Sequence, residues 1–373
     1  IGESGGSSVS LVKITNSAIT NNRITGLYCD CYRFNGSITA SNNIISYNGT
    51  EYSQGHGIST GGGDFGGNHT FVFINNTVNN NGNEGIHGYA NGTQTITGNT
   101  IMNNGSYGIS TRGNGTYTIQ NNIIVNNGTG LVVRYTTHII DSNTIVDNGT
   151  GIAILESGQY TITNNVIARN NAGMDGVITA QNASSPTINI QNNVITQNSC
   201  SYFLTCATIN TVDPGSGDPD FNITNNNIFN NSCDGCTTMY EIQNRRSISL
   251  SNLNATNNWW GTTSDSEIQT KIYDWNDGNA SLGIVDYSPY LSSATTSVPI
   301  SPPQNVAAQT GSTSIQLTWD ANPESDITGY KIYYDTDQAG YPYATSVDAG
   351  DVTSHTISGL NNGTTYYLAV AAY

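Results

Sequence analysis

The stretch TITNNVIARNNAG, residues 161–173, sets the problem of this chain. It places two asparagines before a β-branched residue and two more shortly after. Asparagine is depleted from helices and strands and favoured in turns. One such stretch would be a loop, but the phrase recurs almost from end to end. With the Asn before the apolar residue as marker, it falls at Asn22, Asn43, Asn76, Asn99, Asn122, Asn143, Asn165, Asn193, Asn226 and Asn258. The intervals are 21, 33, 23, 23, 21, 22, 28, 33 and 32, a base period of about 22 with insertions. A second marker runs in phase, a Gly before an apolar residue at Gly26, Gly57, Gly85, Gly108, Gly130, Gly151 and Gly176.

Each unit contains three short alternating runs, such as YTIQNN (117–122), IIVNNG (123–128) and GLVV (130–133). Period-two alternation is the strand signal, and Asn/Gly punctuation is the turn signal. Three strands per unit predict an all-β fold, a right-handed parallel β-helix of about ten coils. At a strand spacing of roughly 4.8 Å such a stack is about 50 Å long. An Asn at a fixed corner then lies over its counterpart in the next coil, and its amide donates to one neighbour while accepting from the other. Asn43, Asn76, Asn99, Asn122, Asn143, Asn165, Asn193, Asn226 and Asn258 are expected to form that ladder. Asn also tolerates the left-handed backbone of such corners. The second Asn of each unit, usually followed by Gly, serves the next corner.

The totals narrow the function classes. Charged residues make up 10% of the chain, and ten Lys plus Arg leave a net charge of −16. That balance argues against a nucleic-acid or anionic-membrane partner, which needs clustered cations. No apolar run reaches the 18 residues of a spanning helix. A chain opening at Ile1 is expected to be a mature or trimmed product. The six cysteines, Cys29, Cys31, Cys200, Cys206, Cys233 and Cys236, favour disulfides and an oxidising compartment over metal, because CDGC at 233–236 has no second pair of ligands. Cys200 and Cys233 each follow their marker Asn by seven residues. Either they pair across coils, with Cys206–Cys236 beside them, or each closes a local loop as Cys200–Cys206 and Cys233–Cys236. Cys29 and Cys31 have only each other nearby.

These repeats resemble those of the pectate lyase-like parallel β-helix superfamily, over about residues 9–291. The stretch 254–291 resembles the last coil and closure of secreted members, with Trp259, Trp260, Trp275, Pro289 and Tyr290 expected to cover the open end of the core. Residues 1–291 are thus expected to be the β-helix, with its cap at 254–291, followed by a Ser/Thr/Pro linker at 292–301. Residues 302–373 resemble a fibronectin type III domain. Trp319 fits its core Trp, DITGYKIYY its third strand, and Tyr366 its tyrosine corner. The resemblance ends at Tyr373, where a last strand should follow. An edge left open there invites strand addition by another subunit of a polymer.

Candidate chemistry is sparse. GHGIST (55–60) is similar to the Gly-His-Gly of polygalacturonases, but the accompanying aspartate and Arg-x-Lys motifs do not occur. Aligned on the Gly marker, His56, Glu84 and Tyr107 share one column, His87 occupies a second, and Tyr89, Arg112 and Arg134 a third. All should face outward on neighbouring coils of one sheet. His56 and Glu84 are the weak catalytic candidates. His87, Tyr89, Arg112 and Arg134 are candidates for a shallow glycan-binding face. Asp213, Asp218 and Asp220, in VDPGSGDPDFN, are oxygen ligands of the kind calcium takes. Sequons stand at Asn35, Asn48, Asn68, Asn75, Asn91, Asn104, Asn114, Asn127, Asn148, Asn182, Asn222, Asn230, Asn254, Asn279 and Asn362.

The expectation is a secreted or cell-surface, non-catalytic structural or adhesive protein, a subunit of a filament, layer or matrix, requiring no cofactor. The alternatives are a polysaccharide lyase or hydrolase, since this fold carries both structural proteins and such enzymes, or a binder of acidic glycans.

Overall fold

The computed structural model describes every residue except 1–9, 31–35, 50–54, 62–68, 90, 174, 182–185, 202–204, 212–218, 248–251, 323 and 338–342. The chain divides after Ser293 into two compact units.

Among the described residues, the first unit is a parallel β-helix built from three long sheets and a short fourth made of Asn171–Ala172, Ser199–Cys200 and Ser232–Cys233. One coil shows the plan. Gly115–Gln120 lies in the first sheet, Ile123–Val125 in the second and Thr129–Val133 in the third. Each strand pairs in parallel with the equivalent strand of the next coil, so that Ile119 sits opposite Ile140, Ile124 opposite Ile145 and Leu131 opposite Ile152. Among the described residues the three long sheets hold eleven, nine and ten strands, which bears out the expected count of about ten coils. The extra residues of the longest intervals enter on both sides of the third sheet, as between Ser46 and Ile58 and between Gly61 and His69.

The alternation read from the sequence becomes a core of stacked columns. Phe73, Ile96, Ile119, Ile140, Ile162, Ile190 and Ile223 form one such column, fully buried within a single apolar cluster. Stiff β-branched side chains fit this pleated interior, and burying each contributes about 1.5–3 kcal/mol. A one-residue slip would turn a whole column outward, so the register is strongly specified. A neighbouring column includes Gln94, Tyr117, His138 and Tyr160. His138 is buried between the two tyrosine rings, 4.7 Å from Tyr117 and 5.3 Å from Tyr160. Its Nε2 lies 2.8 Å from the Thr111 hydroxyl. Burial pushes its pKa down to about 3.

Each asparagine pair at a corner divides its labour. The first residue takes the left-handed backbone and faces solvent, as at Asn121 (φ 54°), Asn164 (φ 55°) and Asn192 (φ 57°). The second is buried and forms the ladder. Asn43 donates to Asn76, and the chain of amide-to-amide bonds continues through Asn99, Asn122, Asn143, Asn165, Asn193 and Asn226 to Asn258, at 2.9–3.0 Å. The same Oδ1 atoms also accept the backbone N–H of the preceding rung, as from Asn99 at 2.9 Å and Asn122 at 3.0 Å. A second ladder runs along the next corner through Asn22, Asn48, Asn81, Asn104, Asn127, Asn148, Asn170, Asn198 and Asn231. Asn22 therefore belongs to this second ladder, while Ser17 occupies the first-corner position beside Asn43. The second ladder ends on a carboxylate, because Asn231 donates to Glu241 at 2.8 Å. Glu241 also accepts from Thr208 at 2.9 Å and lies 3.8 Å from Lys271.

The closure differs in detail from expectation. Trp260 is fully buried and joins Ile268, Ile272 and Val285 in the core cluster, with Tyr290 packed against it. Ile268 comes from a short helix, Asp265–Thr270, capped by the Ser264 side chain. Trp275 is 42% exposed and Pro289 is exposed, so neither covers the core.

The second unit is an antiparallel sandwich. Gln304–Gly311, Ser314–Asp320 and Ser354–Ser358 form one sheet, and Thr345–Gly350, Tyr330–Asp335 and Tyr367–Ala372 the other. Trp319 is buried at its centre with Tyr330, and the Tyr366 hydroxyl accepts the Asn361 N–H at 3.0 Å, as the tyrosine corner requires. Tyr367–Ala372 stands at the edge of its sheet. The end of the expected linker is not loose: Ser301 is buried and its N–H donates to Glu324 at 2.8 Å. Among the described residues, no helix is long and apolar enough to cross a membrane.

Candidate binding groove on the third sheet

The third sheet begins where the chain passes under the second asparagine ladder. Only glycine fits there. A Cβ on Gly85 would lie 2.7 Å from the Gly108 carbonyl oxygen and 2.8 Å from the Asn104 amide, and Gly57 is equally confined by Gly85 and Asn81. This close approach fixes the backbone, so the residue just before each glycine is held outward at a set height. Those residues are His56, Glu84 and Tyr107. After the inward Ile86, His87 points outward, and Tyr89 again two residues later. The Tyr89 N–H donates to the buried Thr60 hydroxyl at 2.9 Å, tying this strand to the previous coil.

The columns expected from the Gly alignment are therefore present, and the structure draws two of them together. Glu84, 7% exposed, is hydrogen-bonded through Oε2 to His87 Nδ1. His56 Nδ1 lies 3.6 Å from the same oxygen, and the two imidazoles stack with centroids 4.7 Å apart at 27°. Burial holds the His56 pKa below its ordinary value; the Glu84 charge works against that shift and a charged His87 would work with it. His56 Nδ1 is shielded from solvent and has no hydrogen-bond partner.

His56 and His87 line an open groove of about 680 Å³, together with Ile24, Thr25, Tyr28, Ser59, Gly61 and Tyr89. Beyond it the outward row continues. Arg112 lies over the Tyr89 ring at 5.4 Å and the Tyr135 ring at 5.8 Å, and Arg134 donates to Ser110 at 3.3 Å. The groove and the row beyond it thus offer aromatic faces, imidazoles and two guanidiniums along one sheet. Ile24 and Tyr28 were missed by sequence reasoning. Tyr28 stands two residues after the marker Gly26, in the His87 column, so its position was legible although its role was not.

The remaining candidates lie elsewhere. Asp213 and Asp218 fall outside the described residues, and Asp220 is exposed at the start of a first-sheet strand. The disulfides are the local pair, Cys200–Cys206 and Cys233–Cys236. Cys200 and Cys233 are register partners on adjacent coils, yet each bonds within its own coil. Cys29 is buried, and desolvation pushes its pKa up to about 11; Cys31, its expected partner, lies outside the described residues. Of the sequons, Asn48, Asn104, Asn127 and Asn148 are buried rungs of the second ladder, which removes their amides from the surface. Asn35, Asn68 and Asn182 lie outside the described residues. Asn91 and Asn222 are half-buried, and Asn75, Asn114, Asn230, Asn254, Asn279 and Asn362 are exposed.

Comparison with known proteins agrees with this architecture. Residues 301–373 match the fibronectin type III domain. Two relatives share short segments. A Kelch domain-containing protein of Saccharolobus solfataricus is 38% identical over 72 residues, 19% of this chain and 9% of that protein. Protein sidekick-1 of Gallus gallus is 41% identical over 83 residues, 21% of this chain and 4% of that protein. The chain spans less than a tenth of the length of either. Residues 84–271, 188 of the 373, match the right-handed β-helix region. The chain belongs to the right-handed β-helix family.

Proposed function

We propose that this chain serves as a structural or adhesive part of a secreted, cell-surface protein, without catalysis of its own. The observation that carries this is the pair of asparagine ladders, which commits the polar corner residues to rigidity rather than chemistry. A β-helix and a fibronectin type III domain together suit a cell-surface protein, and two disulfides suit an oxidising compartment. The likeness to a short part of sidekick-1 points the same way. The finer reading is a subunit of a filament, layer or matrix. The outer edge of Tyr367–Ala372 can accept a further strand, from its own chain or another. Electron microscopy of the native material tests the assembly. Filaments or sheets with a repeat near one subunit length support it, and monodisperse monomers refute it.

A second reading concerns the groove, favoured by Tyr89 and Arg112 stacked along it. Aromatic faces beside guanidiniums suit an acidic glycan. Glycan-array binding that disappears on changing Arg112 and Arg134 to Ala supports this reading. No binding to any acidic glycan would sink it, and release of new sugar ends, lost in His56→Ala or Glu84→Ala, would instead make the chain an enzyme. Calcium on the Asp213, Asp218 and Asp220 loop and glycans on the exposed sequons complete the proposal.

A further inference from the structure

We propose that His56, Glu84 and His87 bind one divalent transition-metal ion of the zinc class, with a coordination position left open to the groove. One donor atom from each residue lies within 4.8 Å of the others. A tetrahedral zinc ion with bonds of about 2.0–2.1 Å spaces its ligands about 3.4 Å apart. The 3.6 Å between His56 Nδ1 and Glu84 Oε2 is too long for a hydrogen bond and suits two ligands of one ion, while the Glu84–His87 hydrogen bond is shorter than that spacing and is exchanged for metal bonds on binding.

The hydrogen-bonding ledger points the same way. One carboxylate faces two stacked imidazoles, yet only His87 is bonded to it. His56 Nδ1 is left buried without a partner, a costly condition that a bound cation relieves. Two imidazoles and one carboxylate match zinc, cobalt, nickel or copper, whereas calcium and magnesium take oxygen ligands throughout. Three protein ligands with one open side is the pattern of a zinc site that accepts an outside ligand. The scaffold is rigid: His56 and Glu84 each precede a glycine wedged against the next coil, and Gly57 N–H donates to the Glu84 carbonyl at 2.9 Å.

The test is metal binding by the whole chain, stripped with a chelator and titrated with zinc, cobalt or calcium. Expected is one tightly held zinc per chain, visible cobalt bands of four-coordinate type, and no calcium competition at these residues. Glu84→Gln and His56→Gln should weaken zinc by at least about 100-fold, the upper end of the loss from removing even an outer partner. Far-UV circular dichroism and metal-free melting establish that the variants fold. A footprint on the unaltered protein avoids mutation entirely: zinc should shield His56 and His87 from diethylpyrocarbonate while His355 continues to react. Absence of stoichiometric zinc, unchanged affinity in both variants, or an unprotected His56 and His87 would overturn the proposal.

Discussion

Asn121 and Asn122 are identical neighbours with opposite fates, and exchanging each separates backbone from ladder. Asn122 Oδ1 accepts from the Asn99 N–H at 2.9 Å and the Asn99 amide at 3.0 Å, while its own amide donates to Ile96 O at 2.8 Å and Asn143 at 2.9 Å. Asn122→Ala removes all four. The Asn99 amide keeps Phe73 and Thr97 as acceptors, but the Asn99 backbone N–H is left buried without a partner. That orphan costs about 1–3 kcal/mol, and the other three bonds about 0.5–1.5 kcal/mol each. The expected loss is roughly 2.5–7.5 kcal/mol, a large share of the 5–15 kcal/mol typical of a domain. Asn121→Gly changes only an exposed residue at φ 54°, where glycine is at ease, and should stay within about 0.5 kcal/mol. Urea unfolding of the whole chain by circular dichroism gives the global cost. Exchange of the Asn99 amide gives the local one, and should accelerate at least about 70-fold at the lower bound. If Asn122→Ala costs under about 1 kcal/mol, or Asn121→Gly costs as much, the ladder does not hold the coils.

His138 should make stability fall in acid. Its folded pKa of about 3 lies below the unfolded value near 6.5, so its contribution is full above pH 6.5 and disappears as pH falls towards 3. The difference amounts to about 5 kcal/mol at most, and His138→Phe should flatten the wild-type slope over that window; parallel curves would refute the assignment. Glu241 behaves oppositely. Burial raises its pKa despite Lys271 and bonds from Thr208 and Asn231, so stability declines as pH rises through the carboxylate range. Glu241→Gln should be no less stable than wild type at pH 7 and should lose that decline; marked destabilisation at pH 7 would show the charge to be favourable. Under native non-reducing conditions alkylation should spare Cys29, and digestion should recover Cys200–Cys206 and Cys233–Cys236 as local bridges. Any Cys200–Cys233 peptide would contradict the pairing.

What the sequence determined by itself was everything that repeats with the coil. Three alternating runs, a corner asparagine and a glycine recur in phase, and stacking like on like turns a local period into three sheets, two ladders and an isoleucine core. The sandwich was legible for a similar reason, since Trp319 and Tyr366 hold positions set by strand alternation. Tertiary structure decided what depends on coil length and side-chain direction. Asn22 entered the second ladder because Ser17, and not an asparagine, holds the first corner of that coil. Cys200 and Cys233 became register partners without bonding, because backbone alignment does not orient sulfur. Trp275 stayed outside the core, where Trp260, Ile268, Ile272 and Val285 pack together at the closure. His56, Glu84 and His87 sat in two alignment columns whose outward side chains converge only when the glycines beneath them press adjacent coils together. Chain periodicity fixes the height of a residue on the stack; only packing fixes the direction and reach of its side chain.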